Sequence, residues 1–367
     1  MGLRRPGSGL ASVLLIGLMA GLLVACGTEP TQVPARAPFP TRSEPQMADD
    51  PAPSSAGPST ANARGEVLGR NERLLIYRPR AGDQLPAIAA RFLGSADLAW
   101  ALAEANGPGA PLAGKPMLVP LTPLNPIGVE GDKYQTVPIL CYHRFGPGSS
   151  KMVMPAANFA AQLEWLAKND YRVVRLSELA QFLDGRKALP KRSVVITIDD
   201  GYESVHRHAF PLLKRYGFAA TLFVYTDFIG APDGLSWGQL QEMAASGLVD
   251  IQSHSKSHRN LIERTPLENE QRYRQNIEAE MRVPREVLDK RLAPNSISQI
   301  AYPFGDANEI VLDSAARNRF EIGVTVNPGG NAFFSQPLML RRTMIFGDLD
   351  LEGFKAKLQV SKGFVVP

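Results

Sequence analysis

Residues 193–205 read SVVITIDDGYESV. A run of β-branched and apolar residues, Val194 to Ile198, ends in two adjacent acids, Asp199 and Asp200, and then in Gly201. Core strands avoid carboxylates, because an unpaired buried charge is very costly. In folds where strands and helices alternate, functional sites gather at the carboxyl ends of strands. Asp199 and Asp200 occupy such an end, so the pair marks a candidate site.

Working outward, the chain from 132 to 367 keeps alternating. Strand-like runs read Val137–Tyr142, Tyr171–Val174, Val194–Ile198, Ala219–Tyr225, Val249–Gln252, Gln299–Tyr302, Glu321–Val326 and Leu338–Ile345. Amphipathic stretches stand between several of them: Phe159–Lys168, Ser177–Leu183, Ser204–Tyr216, Leu240–Ala245 and Val311–Arg317. This order implies βα units and a largely parallel sheet. The expected fold class is α/β, a distorted and incomplete (β/α) barrel of about seven strands. Pro284 lies inside a long helical pattern at 267–292 and is expected to kink or break it.

A second strand end carries chemistry. Residues 250–258 read DIQSHSKSH, so a strand runs into His254 and His258, four apart. That spacing puts both rings on one side of a helical or tightly turned segment. Two histidines, a carboxylate and an open position form a known ligand set for catalytic zinc.

These stretches resemble the polysaccharide deacetylases, the NodB-homology group of carbohydrate esterase family 4. Ile196-Thr197-Ile198-Asp199-Asp200-Gly201 is similar to the first motif of that family, and His254-Ser255-Lys256-Ser257-His258 to the second. Ala301-Tyr302-Pro303-Phe304-Gly305 is similar to the third, and Leu235-Ser236-Trp237 with Met243, Gly247 and Leu248 matches the approach to the second. The resemblance spans nearly all of 135–350. It implies that Asp200, His254 and His258 bind one divalent metal ion, zinc or alternatively cobalt or nickel, and that Asp199 is the general base. Neighbours on an extended strand point opposite ways, which suits one acid to the metal and the other to the attacking water. Trp237, Tyr302, Pro303 and Phe304 are candidates for a sugar-stacking groove; for the aromatics, core packing is the equal alternative.

Two departures from the family pattern stand out. All five histidines lie at or before His258, so no late histidine can supply the proton donor. His143, closing Val137-Pro138-Ile139-Leu140-Cys141-Tyr142-His143, takes that role by resemblance to biofilm poly-N-acetylglucosamine deacetylases, whose motif order is permuted. His206 and His208 read as non-catalytic. The third motif usually begins with an arginine that orients the base, and here that position is Ala301. Arg342, in Leu340-Arg341-Arg342-Thr343-Met344-Ile345, is the base-orienting candidate, with a surface strand arginine as the equal alternative. A cysteine amidase built on Cys141 and His143 would leave the motifs unexplained, and an apolar strand cysteine is usually buried and inert.

The N-terminal third is of another kind. Arg4 and Arg5 precede an apolar run from Leu10 to Val24, followed by Ala25 and Cys26. This reads as a secretory signal over 1–25, and Leu23-Val24-Ala25-Cys26 resembles a bacterial lipoprotein box, which implies lipidation of Cys26. Residues 26–70, rich in Pro, Ser, Thr and Ala, read as a disordered tether. Residues 71–123 show a strand, two helical stretches and a strand. Tyr77, Gly82-Asp83, Ile88-Ala89, Asn106-Gly107, Gly114 and Val119-Pro120 resemble a LysM domain, which implies glycan binding.

The expected place is the cell envelope, lipid-anchored, at the outer membrane facing the periplasm if the source is Gram-negative. The net charge of +4 comes without any Lys/Arg block, so no nucleic-acid partner is expected. Partners implied are a polysaccharide containing N-acetylglucosamine, the membrane, and exopolysaccharide secretion machinery. The expected activity is N-deacetylation of a poly-N-acetylglucosamine-type exopolysaccharide. Peptidoglycan deacetylation and an inactive glycan-binding lipoprotein are the alternatives.

Overall fold

The computed structural model describes residues 63–107, 109–148 and 150–364. The apolar leader, Cys26 and the tether up to residue 62 lie outside the described residues. Among the described residues no single helix is long and apolar enough to cross a membrane.

The small N-terminal unit starts earlier than its composition suggests. Glu66–Arg70 is a strand, antiparallel to Leu74–Arg78, which pairs in turn with Met117–Pro120. The order is therefore ββααβ, and the expected tether ends before the residue 70 boundary. Glu66–Arg70 is an exposed edge strand with no apolar alternation, so its sequence carries no strand signal. Its entry is fixed by side chains farther on. Asp83 accepts from the backbone N–H groups of Arg64 at 2.8 Å and Gly65 at 3.1 Å, and the buried Tyr77 hydroxyl donates to Asp83 at 2.7 Å. Helices Leu85–Leu93 and Ala99–Asn106 cover the sheet through Ile88, Ala89 and Leu102. Asn106 ends the second helix by donating to Leu102 O and Leu118 O, while Leu118 N–H returns to its side-chain oxygen.

The large domain is built on seven parallel strands. They are β1 (Val137–Tyr142), β2 (Ser193–Ile198), β3 (Ala220–Val224), β4 (Val249–Ser253), β5 (Gln299–Ala301), β6 (Ile322–Val324) and β7 (Thr343–Met344). Their order across the sheet is β6-β5-β4-β3-β2-β1-β7, with short strands Arg172–Val173 and Gly330–Asn331 added beside β2 and β1. Leu140, Ile196, Ile198, Leu222, Ile251 and Ile300 face one way, into the layer shared with the helices. Ile139, Val195, Phe223, Ala301 and Val324 face the other way, into the curl of the sheet. Burial on both faces is why these strands read as unbroken apolar runs.

The sheet curls until its two ends meet. Leu340 forms a single parallel bridge to Val324, with Leu340 N–H on Gly323 O at 2.9 Å and Thr325 N–H on Leu340 O at 2.8 Å. Three residues later the same segment, as β7, pairs with Leu140 and Cys141 of β1. One segment thus serves both edges, which explains why the expected strand Leu338–Ile345 is broken. Its first part is a 3₁₀ turn, Pro337–Met339.

Two other expectations are corrected. The helix Glu270–Arg291 runs through Pro284 without a break. Pro284 is buried on the same face as Ile277, Met281 and Leu288. An interior proline costs about 3 kcal/mol, and burying three large apolar side chains at about 1.5–3 kcal/mol each outweighs it. The expected helix Ser204–Tyr216 begins as a π turn, Val205–Ala209, before the α-helix Phe210–Tyr216.

Gly323 sits in the closing seam, where an added Cβ would collide with the Tyr302 hydroxyl and the Leu338 carbonyl oxygen. Gly323→Ala should therefore lower stability by about 1–3 kcal/mol, as overpacking does. Urea unfolding of the variant measures this, and an unchanged midpoint would mean that the seam is loosely packed.

Candidate active site

The register of the central strands brings the candidates together. β1 and β2 pair Tyr142 with Ile198, so His143 and Asp199 emerge side by side. Asp199 N–H is bonded to Tyr142 O at 2.9 Å, and side-chain ligand atoms of Cys141, His143 and Asp199 lie within 4.8 Å of one another. Asp199 is 1 % exposed.

Arg342 makes that burial tenable. It is 0 % exposed and enters the curl of the sheet from the closing segment. Its guanidinium donates to both Asp199 oxygens, at 2.6 and 2.7 Å, and also to Thr325 O at 2.8 Å and Thr197 Oγ1 at 3.2 Å. Thr197 is itself held by Leu140 O at 2.8 Å. Burial pushes the Asp199 carboxyl up, but the charge of Arg342 overrides it and holds the group below the usual carboxylate range. The surface alternative for Arg342 therefore does not describe where the structure puts it.

Asp200 leaves the strand in a left-handed conformation, φ 75°, and this turn rather than simple strand alternation separates the two acids. Gly201 follows at φ 86°, packed so closely on Val224 that a side chain would clash. The Asp200 oxygen Oδ1 stands 3.4 Å from His254 Nε2 and 3.3 Å from His258 Nε2. Two ligands bound at about 2.0–2.1 Å to a tetrahedral ion lie about 3.3–3.4 Å apart, so this donor set fits a divalent metal. His254 Nδ1 faces Ala301 O at 2.8 Å, and a carbonyl only accepts, so the proton sits on Nδ1 and the Nε2 lone pair faces the cluster. Burial lowers the pKa of His254, yet the neighbouring charges of Asp199 and Asp200 carry it above the ordinary imidazole range. His143 goes the other way: burial dominates and holds it below that range.

The His254–His258 loop is strained and braced. Ser255 and His258 both have left-handed φ, 68° and 59°, a conformation that costs free energy and persists only where surroundings enforce it. Glu280, buried in the long helix Glu270–Arg291, supplies the brace. Its carboxylate accepts from Lys256 N–H and Ser257 N–H, each at 2.9 Å, and from the Ser257 hydroxyl at 2.6 Å. No motif in the sequence singles out Glu280.

The groove candidates separate. Tyr302 is fully buried, with its hydroxyl on Leu338 O at 3.0 Å, and Pro303 is buried beside it. Only Phe304 is open, 59 % exposed, with its ring 5.1 Å from that of His258. Trp237 packs partly on the core, with the Arg291 guanidinium 5.2 Å from its ring. In their place a row of half-buried rings leads away from His258: Tyr225 at 5.1 Å, then Phe228 at 5.0 Å, then Tyr202 at 5.3 Å. Tyr225 and Phe228 lie in the loop after β3 and Tyr202 in the loop after β2, so no single stretch of sequence shows the row. His206 is paired with Glu242 at 2.8 Å. Cys141 is buried, its thiol 3.5 Å from Asp199 Oδ2 and pushed up by burial, so it is a neutral donor.

Residues 186–323 match the family model described as polysaccharide deacetylase. That span holds Asp199, Asp200, His254, His258 and the Tyr302 turn, and leaves out His143 and Arg342. The chain is 31% identical over 234 residues to YxkH of Bacillus subtilis, named as a polysaccharide deacetylase, covering 64% of this chain and 80% of the relative. It is 30% identical over 173 residues to a poly-β-1,6-N-acetyl-D-glucosamine N-deacetylase of Staphylococcus epidermidis, covering 46% of this chain and 59% of that one. Among solved structures it resembles the Streptococcus pyogenes deacetylase PplD in complex with acetate. The TM-score is 0.55 at 26% identity, covering 61% of this chain and 98% of that one.

Loss of the brace should be felt at the Asp200–His254–His258 donor set. Glu280→Ala should weaken divalent-metal affinity by about 10-fold to 100-fold, the usual effect of removing an outer-shell partner. A chelator-competition titration reads this, with circular dichroism as the check on folding. Unchanged affinity in a folded variant would contradict the bracing role.

Proposed function

The chain belongs to the polysaccharide deacetylase family, and from that membership we propose that it removes acetyl groups from N-acetylglucosamine residues of a poly-N-acetylglucosamine-type exopolysaccharide. The observation that carries this reading is the buried Asp199, gripped by Arg342, beside both His143 and the Asp200–His254–His258 cluster.

In this mechanism Asp200, His254 and His258 hold a divalent ion, zinc or alternatively cobalt or nickel. Such an ion, when bound, supplies Lewis-acid polarisation of the acetamide carbonyl and lowers the pKa of the attacking water. Asp199, kept ionised by Arg342, accepts a proton from that water as oxygen adds to the acetamide carbon. Both Asp199 oxygens already carry hydrogen bonds from Arg342, so the carboxylate cannot swing away from this position. As the C–N bond breaks, the leaving nitrogen must take up a proton. His143 stands beside Asp199, in reach of the same reacting centre, and is the group placed to donate it. Acetate and a free amine result. Phe304 and the rings of Tyr225, Phe228 and Tyr202 form an aromatic rim on which the flat faces of pyranose rings can rest.

The exopolysaccharide is favoured by the position of His143 at the end of β1 and by the activity for which the Staphylococcus epidermidis relative is named. Peptidoglycan is the second reading, favoured by the small ββααβ unit, which we propose to be a LysM-like glycan-binding domain. An inactive glycan-binding lipoprotein would bind these polymers and release no acetate, even with metal supplied. Anchoring through a lipidated Cys26, a place in the cell envelope, at the outer membrane if Gram-negative, and proximity to exopolysaccharide secretion machinery are proposals from sequence.

Acetate release from poly-N-acetylglucosamine and from purified wall sacculi, with metal supplied, separates the substrates: the proposal expects release from the first to dominate. Asp199→Asn and His143→Ala should each lower turnover by about 10²–10⁴-fold with metal still bound. His254→Ala should lose metal and turnover together. A fully active His143→Ala would remove the histidine from the proposed mechanism.

A further inference from the structure

A cavity lined by the small unit and the large domain lies far from the catalytic cluster. It measures about 600 Å³ and separates the small unit from the large domain, within the usual range for ligand sites. Trp100 and Glu104, from the helix Ala99–Asn106, line one wall, and Leu121 to Asn125 continue it. Lys133 and Tyr134, just before β1, and Lys191, just before β2, line the other. These residues precede the amino ends of β1 and β2, whereas His143 and Asp199 follow the carboxyl ends. Each strand has six residues, so the two places are about 20 Å apart.

The lining selects for a particular kind of ligand. Its charged groups are already satisfied within the protein. Glu130 is paired with Lys191 at 2.7 Å and Lys133 at 3.4 Å, Lys187 with Glu178 at 2.6 Å, and Glu104 accepts from Lys191 N–H at 2.9 Å. Arg186 is paired with Asp184, and Arg192 donates to Asn169 O at 2.8 Å. No cluster of unpaired charge is therefore offered to an ion. What the cleft does offer is the half-exposed rings of Trp100 and Tyr134, with hydrogen-bonding groups between them. Outside the cleft the Tyr134 ring continues into Phe334 at 5.3 Å and Phe364 at 5.4 Å, which are 63 % and 47 % exposed. Flat apolar surfaces flanked by donors and acceptors match a pyranose, which has C–H faces and a hydroxyl rim.

We propose that this cleft and its aromatic apron form a second carbohydrate site, which holds a neutral, N-acetylated stretch of the same polymer that is being deacetylated at the other end of the barrel. The proposal rests on the carbohydrate function proposed above. The site also distinguishes substrate from product. Its lining carries five cationic side chains (Lys133, Arg186, Lys187, Lys191, Arg192) against two carboxylates (Glu104, Glu130). Counting the outside partners Asp184 and Glu178 still leaves five against four, so the remaining sign is positive. A deacetylated stretch gains protonated amines and is repelled, while the acetylated stretch is not. Polymer is thus retained until it has been processed.

The test uses Trp100→Ala, Trp100→Phe and Tyr134→Ala in the full chain. On long poly-N-acetylglucosamine, Trp100→Ala and Tyr134→Ala should each raise KM about fivefold, the loss expected of one aromatic contact, with kcat unchanged. Kinetics on a short N-acetylglucosamine oligomer, which cannot span both places, should not change, and Trp100→Phe should recover most of the loss. Direct titration with N-acetylglucosamine pentamer should show weaker binding in both alanine variants, and glucosamine pentamer should bind the wild type several-fold more weakly. Equal KM for wild type and folded alanine variants on the long polymer would overturn the proposal. Should the wild type release no acetate at all, the catalytic reading fails, and the titration alone decides the cleft: pentamer binding that Tyr134→Ala leaves unaltered overturns it.

Discussion

Asp199 and Arg342 are both withdrawn from water, and neither can stay charged there without the other. Taking two ions out of water costs several kcal/mol each, and only good geometry with additional hydrogen bonds offsets it. Here the geometry is a parallel pair of short bonds, and the remaining guanidinium donors are met by Thr325 O and Thr197 Oγ1. The pair is weak evidence for stability, since apolar replacements often do as well. Its consequence is directional: a charged carboxylate fixed at the mouth of the curled sheet, next to a donor set that fits a metal ion.

The fold and this pair are two aspects of one constraint. Arg342 stands between Leu340, which bridges to β6, and Thr343, which pairs with β1. The residues that close the sheet are thus the residues that deliver the guanidinium. At position 301 the small side chain stays within the apolar lining, and the backbone carbonyl serves His254 instead. The guanidinium that meets Asp199 comes instead from the other edge of the same curl.

Much of this is legible in the sequence. Val137–Tyr142 and Val194–Ile198 read as strands because burial on both faces leaves unbroken apolar runs, and their register then places His143 beside Asp199. Asp200, His254 and His258 were legible because motif spacing survives in one dimension. Arg342 was only one of two readings, since nothing in Leu340-Arg341-Arg342 says which arginine faces inward. Glu280 was invisible: its partners are backbone N–H groups more than twenty positions away. Tyr302 and Phe304 are separated by one proline yet part company, because the left-handed φ of 62° at Phe304 turns its ring outward while Tyr302 stays in the core. The strand Glu66–Arg70 escaped because edge strands need no apolar side, and Pro284 misled because packing outweighed its local cost.

The measurement that bears most directly on this account is the turnover of Arg342→Lys on poly-N-acetylglucosamine, with bound metal and folding determined on the same sample. Lysine keeps the charge that Asp199 needs but cannot grip both oxygens in the planar fork. The account predicts a folded, metal-loaded protein whose kcat falls about 10-fold to 100-fold, as expected when a reacting group loses its orientation. Wild-type turnover in that variant would show that the closing strand does not position the base, and would contradict the account.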